Sequence, residues 1–267
     1  MRQEKGRFWT KYDKIQQAEQ NESIDNLNGS LYAILFNADI TSGDIRKGYS
    51  NDVGLVYGSL LGTGMPHSNI VTLEGHGYTR SFVNAPATLS NLESALNSLR
   101  QTAKSNDRLL VFVTNHGELV NGQCFMAAYN GRISESDFGE MVHDLPTNFA
   151  LFYFSQCYSG GFAERVGYGR DIGISNTGRD RKSYHLQSPI PIEKIIAKDG
   201  NFFTRYLFPS ILERGRTIDE AFDIAVKKDT SLLRFLSEPM FCNWDTEIPQ
   251  LRWQNADPSR LYLGNKQ

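Results

Sequence analysis

A histidine and a cysteine each follow a short apolar run in this chain, with glycine close behind. Residues 109–113 precede His116 and Gly117, and residues 150–154 precede Cys157. A thiolate attacks carbonyl groups, and a neighbouring imidazole can take the proton from the thiol. The two segments therefore indicate nucleophilic catalysis by Cys157, with His116 as general base and acid.

The two apolar runs determine where these side chains should lie. Runs of about five apolar, β-branched and aromatic residues are typical of strands buried on both faces of a parallel sheet. Side chains just beyond the carboxyl ends of such strands line the crevice where ligands bind. We therefore expect His116 and Cys157, about 41 positions apart, to lie side by side at one sheet edge. The oxyanion formed by attack needs N–H donors, and we expect them from the main chain of Gly117 and Cys157, since glycine has no Cβ to block close approach.

Two competing interpretations use other residues. His76 also precedes a glycine and follows an apolar run, residues 70–73, but that run is shorter and two residues, Glu74 and Gly75, intervene. Ser159 could be the nucleophile of a serine hydrolase, but the glycine that a nucleophile elbow has two positions earlier is absent, because Cys157 stands there. The sequence thus favours His116 and Cys157.

Composition narrows the class of protein. The chain has 267 residues, 40% of them hydrophobic and 22% charged, as in soluble globular proteins. A net charge of −2 gives no reason to expect nucleic acid or an anionic membrane as a partner. No apolar run approaches the ~20 residues that span a bilayer, and the charged first residues carry no signal-peptide pattern, so we expect a cytoplasmic protein.

The cysteines and nucleotide motifs exclude other chemistries. The three cysteines are an odd number without paired spacing, which argues against a disulfide scaffold, and we expect Cys124 and Cys242 to be structural. No C-x-x-C, H-E-x-x-H, Walker or G-x-G-x-x-G motif occurs. We therefore expect no metal and no cofactor.

Strand and helix patterns alternate along the chain, which predicts a mainly parallel sheet covered by helices. Three helix starts follow from capping residues: Asn51 or Asp52, Ser90 with Glu93, and Ser134 with Asp137. The expected strands are residues 31–36, 70–73, 109–113, 150–154 and 171–175, and two later helices are expected at 201–212 and from 217 to about 227. We expect residues 1–28 to form an N-terminal extension and 29–267 one domain, in which 178–200 are an exposed loop.

An apolar strand with His-Gly, followed about 40 residues later by a second strand with Gln-Cys-x-Ser-Gly, resembles the caspase-like cysteine peptidases. Within that group it looks most like the bacterial members of the legumain (asparaginyl endopeptidase) family. Residues 107–117 resemble the histidine strand of the family, with Asn115 where aspartate is common. Residues 49–52, 247–250 and 261–264 also fit, so the resemblance covers roughly residues 30–264.

This resemblance implies a three-layer α/β sandwich with a mainly parallel, six-stranded caspase-like sheet. It also implies a cysteine-type endopeptidase that cleaves peptide or protein substrates through a thioester acyl-enzyme on the dyad of His116 and Cys157. Two alternatives remain on the same fold. One is a catalytically silent scaffold that binds peptides, and the other is a transamidase or peptide ligase that uses the same dyad.

The resemblance also suggests substrate-binding residues. Legumain selects asparagine with a pocket of acids and a base, and one acid directly follows the catalytic cysteine. Tyr158 stands at that place here, and Asn201 stands where the second acid would be. Arg46 is the candidate base, and Ser175 and Asn176 resemble the strand end that forms one pocket wall. We expect a P1 residue that is polar but not basic, with Asn or Asp preferred.

Overall fold

The structure is a computed structural model that describes residues 29–38, 44–75, 80–167, 169–183, 201–237, 249–254 and 256–263. The strands in this part of the chain are β1 (Leu31–Asn37), β2 (Ile70–Glu74), β3 (Ala85–Pro86), β4 (Arg108–Thr114), β5 (Gly117–Val120), β6 (Gln123–Ala128), β7 (Gly131–Ser134), β8 (Phe149–Ser155), β9 (Ile172–Ser175) and β10 (Gln250–Trp253). The α-helices are α1 (Asp44–Gly62), α2 (Leu89–Thr102), α3 (Glu135–Val142), α4 (Gly160–Val166), α5 (Phe202–Ile211) and α6 (Ile218–Ser237).

A mainly parallel sheet forms the centre of this mixed α/β fold. Its strand order is β10-β9-β8-β4-β1-β2-β3, and only β10 runs antiparallel to its neighbour. The parallel, helix-covered sheet was expected, but the expected count of six strands is wrong, because seven strands pair within the described residues. One of the seven, β3, is only two residues long and ends in proline, too short for any apolar pattern to reveal.

Helices cover both faces of this sheet, which explains why its central strands are apolar throughout. All seven residues of β4 and all seven of β8 are buried. Alternate residues point to opposite faces of a strand, so Leu110 and Phe112 join the core beneath α1, α5 and α6. Leu109, Val111 and Val113 join the core beneath α2, α3 and α4. The apolar runs from which these strands were predicted therefore supply residues to two separate hydrophobic cores.

Two predicted helix starts are wrong and one is confirmed. α1 begins at Asp44, so Asn51 and Asp52 lie inside it instead of capping it. The N-cap of α2 is Thr88, whose hydroxyl accepts from Asn91 N, and Ser90 lies within the helix. Ser134 caps α3 as predicted, with its hydroxyl accepting from the main-chain N–H of residue 137. The last helix, α6, extends to Ser237, beyond the predicted end near residue 227.

A small antiparallel sheet, β5-β6-β7, extends from the end of β4. Its first turn contains Asn121 and Gly122, both with positive φ (51° and 79°), as a tight hairpin requires. Residues 1–28 lie outside the described part of the chain, as does most of the predicted 178–200 loop. None of the described helices is both long enough and apolar enough to span a bilayer.

Candidate active site

The central strands β4 and β8 bring the predicted dyad to one edge of the sheet. The two strands are parallel neighbours, and Thr114 pairs with Ser155 in their register. His116 and Cys157 each come two residues after that pair, so they leave adjacent strands, which lie about 4.8 Å apart, at matching positions. Both residues are partly exposed, whereas the strand residues before them are buried. This is the placement expected from the apolar runs.

Tyr49 holds the imidazole of His116 from the side of α1. The two rings pack edge to face, with centroids 5.3 Å apart and an interplanar angle of 83°. The Tyr49 hydroxyl lies 3.4 Å from Nδ1 of His116. That separation is long for an O–H···N bond, so ring packing contributes much of the orientation. A base oriented by a third group is the arrangement that activates a nucleophile. Nothing in the sequence pattern connects these residues, which are 67 positions apart.

Asn115 and His116 fasten the end of β4 to the small sheet. The side-chain amide of Asn115 donates to Ala127 O at 2.9 Å. Ala127 N in turn donates to His116 O at 3.0 Å. Two hydrogen bonds to Ala127 therefore hold residues 115 and 116 against β6.

Gly117 is required by a close main-chain approach. A Cβ at Gly117 would overlap the carbonyl oxygen of Cys157 and lie 2.9 Å from its carbonyl carbon. From the sequence, we expected the missing Cβ of Gly117 to let substrate approach the main-chain N–H. The contact in the structure is instead with the main chain of Cys157. The main chains of residues 117 and 157 are therefore packed against each other, and each carries an N–H donor of the kind that stabilises an oxyanion.

The turn after Cys157 is strained and touches the segment that follows β9. Tyr158 has a φ of 58°, in the left-handed region that costs energy for a non-glycine residue. Its main-chain N–H donates to Arg181 O at 2.7 Å. The thiol of Cys157 donates to Ser183 O at 3.3 Å. Strain of this kind persists where the surrounding structure fixes it.

Ser175 and Asn176 differ in their hydrogen bonding. Both are fully buried at the end of β9. Asn176 accepts from the Tyr153 hydroxyl at 2.6 Å and donates to Ser155 Oγ at 2.9 Å. The Ser175 hydroxyl has no hydrogen-bond partner among the described residues. Both ends of the Asn176 amide are thus already engaged, while the Ser175 hydroxyl retains its capacity to bind.

Asn201 caps α5 behind the strand ends. Its Oδ1 accepts from Thr204 N at 3.1 Å, and its own N–H donates to Asp52 Oδ1 at 2.8 Å. The other carboxylate oxygen of Asp52 accepts from the Thr114 hydroxyl at 3.4 Å. Asp52 therefore links α1, β4 and the start of α5, a role the sequence did not suggest. Arg46 lies in α1, and its side chain is outside the described part of the structure.

The second described cysteine, Cys124, is fully buried in β6. Burial and the nearby Glu135 carboxylate raise the pKa of the Cys124 thiol to about 11. Its sulfur donates to Arg179 O at 3.6 Å. A thiol that stays protonated is a poor nucleophile, in keeping with the structural role predicted for this residue. Cys242 and the competing His76 lie outside the described residues.

Within the described ranges, no three or more His, Cys, Asp or Glu side chains are grouped so that they could hold a metal ion. Comparison with family models and with curated proteins found no match to this chain.

Proposed function

We propose that the chain is a cysteine endopeptidase, similar in mechanism to the caspase-like peptidases. The observation that carries the proposal is the register of β4 and β8, which leaves His116 and Cys157 at matching positions beyond adjacent strands. Three further features support it: the ring of Tyr49 packed against the imidazole, the glycine required at position 117, and the strained turn at Tyr158.

Each of these groups has a role in peptide-bond cleavage. His116 takes the thiol proton, and Sγ of Cys157 attacks the carbonyl carbon of the substrate. The N–H groups of Gly117 and Cys157 donate to the developing oxyanion. The C–N bond breaks as the imidazolium gives its proton to the leaving amine. A water molecule, deprotonated by His116, then hydrolyses the thioester and restores the thiol.

The P1 pocket lies, in this proposal, beside Tyr158 and the end of β9. Among the described residues there, the hydroxyls of Ser175 and Thr177 are buried polar groups that lack a hydrogen-bond partner. A neutral hydroxyl can hydrogen-bond an amide or acid but offers no charge to balance a buried Lys or Arg. We therefore propose a P1 residue that is polar and not basic, Asn or Asp first.

Peptide-library cleavage with wild type, Cys157→Ala and Cys124→Ala tests the proposal. Wild type and Cys124→Ala should cleave the same peptides, because the Cys124 thiol is buried and protonated, whereas Cys157→Ala should cleave none. Cleavage by Cys157→Ala would contradict the proposal. Strong turnover after Arg or Lys, and none after Asn or Asp, would contradict the P1 assignment and point to the buried carboxylate of Asp52, next to Asn201.

A further inference from the structure

Residues 178–183, here named the strap, leave the end of β9 and run across the nucleophile. The carbonyl oxygen of Arg181 accepts from Tyr158 N at 2.7 Å. The carbonyl oxygen of Ser183 accepts from the Cys157 thiol at 3.3 Å. Residues 178–181 form a turn, closed by a hydrogen bond from Arg181 N to Gly178 O at 3.3 Å, and the main chain that follows it lies against the cysteine.

An ion pair anchors the strap to the helix that follows the small sheet. The Arg179 guanidinium forms two hydrogen bonds with the Glu135 carboxylate, one of them 2.9 Å long from Nη1 to Oε2. The Glu135 side chain is only 7% exposed, and that of Arg179 is 40% exposed. Paired, bidentate contacts of this type are stronger than neutral hydrogen bonds. We call this pair the latch.

The glycines after the nucleophile shape the seat of the strap. A Cβ on Gly160 would lie 2.5 Å from Arg179 N and 2.7 Å from the carbonyl carbon of Gly178. A Cβ on Gly161 would overlap the Glu135 carboxylate and lie 2.5 Å from the sulfur of Cys124. The Gly-Gly pair is therefore needed for the strap and its latch to lie against α4, and not only for the turn after Cys157.

From these contacts we infer that the strap is a built-in inhibitory cover of Cys157, held closed by the latch between Arg179 and Glu135. A thiol that donates its hydrogen to a main-chain carbonyl is protonated, and the carbonyl that accepts it lies where a substrate carbonyl must approach. Opening the strap exposes the sulfur to substrate and to reagents. The inference rests on the proposed function only in naming Cys157 as the nucleophile.

Alkylation of Cys157 in variants of the latch tests this inference. Arg179→Ala with Glu135→Gln removes the latch without leaving a buried unpaired charge. The matched control is Arg132→Ala with Glu118→Gln, an exposed pair 3.6 Å apart. Iodoacetamide labelling, followed by peptide mass spectrometry, should show Cys157 reacting about tenfold faster in the latch variant, as expected when one charge-assisted pair no longer favours the closed state. The control should match wild type.

Gly160→Ala is an independent variant that disturbs the strap sterically without changing either residue of the latch. Its control is Gly58→Ala, because a Cβ at Gly58 meets no atom within 4 Å. Gly160→Ala should also accelerate labelling of Cys157. Unchanged labelling in a folded latch variant, with melting checked by circular dichroism, would overturn the inference.

Peptide hydrolysis by the same variants separates the two proposals. Faster labelling together with faster hydrolysis supports both the cover and the peptidase. Faster labelling with no hydrolysis in any variant retains the cover and rejects the peptidase. Hydrolysis that is lost in Cys157→Ala but unchanged in the folded latch variant retains the peptidase and rejects the cover.

Discussion

The two ends of the central strand pair, β4 and β8, are both rich in buried polar side chains, yet they are built differently. At the amino end, Arg108 and Asp107 bind main-chain groups of distant segments. At the carboxyl end, His116 and Cys157 contact side chains and the strap. Burial of polar groups is common to both ends, so it does not by itself identify a site.

The amino end acts as a clamp on the fold. Arg108 is 1% exposed and donates to Leu263 O at 2.8 Å and to Gly29 O at 3.3 Å. Asp107 accepts from Ser30 N at 2.7 Å. Burial lowers the pKa of the Arg108 guanidinium, and the Asp107 carboxylate partly offsets that effect. These side chains satisfy main-chain groups that would otherwise be buried without partners.

The carboxyl end is instead assembled from groups that can change protonation or partner. A thiol and an imidazole stand at matching positions, and the thiol donates a hydrogen bond to the strap, the segment proposed above to cover it. Polar side chains that bind main-chain groups stabilise a fold. What distinguishes the carboxyl end is therefore the reactive type of its side chains, and not their burial.

The largest expected effect is on catalysis, and it compares the histidine that follows β4 with the histidine that follows β2 in the sequence. His116→Ala should lower kcat/KM by about 10³-fold, because general acid–base catalysis by histidine contributes on that order. His76→Ala should leave it within about tenfold, roughly 1.4 kcal/mol of barrier. Steady-state hydrolysis of the best library peptide measures both. Loss of activity in folded His76→Ala with retention in His116→Ala would show that the base was misassigned.

Arg108→Met tests the clamp. The change should lower the free energy of unfolding by about 3 kcal/mol, since several buried carbonyls lose a charged donor. The control is Arg170→Met, at the same end of the sheet, because Arg170 is exposed and its side chain donates one hydrogen bond among the described residues, 3.5 Å long, to Asn148. Urea denaturation measures the difference. Equal stability of the two variants would mean that the amino end does not clamp the fold.

Apolar runs made the central strands predictable, and with them the placement of His116 and Cys157 beyond the strand ends, because every residue of a strand buried on both faces is apolar or buried. Helix starts were less predictable. Asp52 has a capping side chain, but its carboxylate binds Asn201 N, 149 positions away. Thr88 and Ser90 are both capping types, and sequence alone does not choose between them.

Contacts between distant segments account for what the sequence did not reveal at the site. Tyr49 reaches His116 from α1, and Arg179 reaches Glu135 across 44 positions. A charged residue in a polar stretch is typical of an exposed loop, which is how residues 178–200 were interpreted. Gly178 is nevertheless buried and Arg179 is paired. Such pairing depends on the path of the chain and leaves no local pattern.

The next largest expected effect is a difference in chemical reactivity between the two described cysteines. Near pH 7.5, Cys157 should alkylate about 100-fold faster than Cys124, because Cys157 is partly exposed and can ionise beside His116 whenever the strap opens, whereas Cys124 is fully buried. The Cys124 thiol, with a pKa of about 11, is almost wholly protonated at that pH. Its labelling should grow as pH rises toward 10. Timed iodoacetamide labelling with mass spectrometry measures both sites, and equal rates at pH 7.5 would contradict the assigned difference.

The smallest expected effect concerns Asp171, at the amino end of β8. Burial raises the pKa of this carboxyl to about 6, although the N–H of Ala150 and the charge of His143 act in the opposite direction. Because the folded-state pKa is above the ordinary value of 3.8, the folded protein binds the proton more tightly. Stability from this group is therefore complete below about pH 4 and is lost as pH rises through about 6.

Asp171→Asn removes that loss while keeping an oxygen to accept from Ala150 N, a bond 2.9 Å long. The variant should be about 1–2 kcal/mol more stable than wild type at pH 7.5, less than the full pKa difference would give because the group is not wholly buried. At pH 4 the gain should vanish.

The control is Asp257→Asn, an exposed residue whose oxygen also accepts a main-chain N–H. This variant should show no pH-dependent gain in stability. Burial also raises the pKa of Asp229 to about 6, so wild type and Asp171→Asn should both keep part of the decline. A gain of equal size at both pH values in urea denaturation would mean that packing, and not the buried charge, sets the effect.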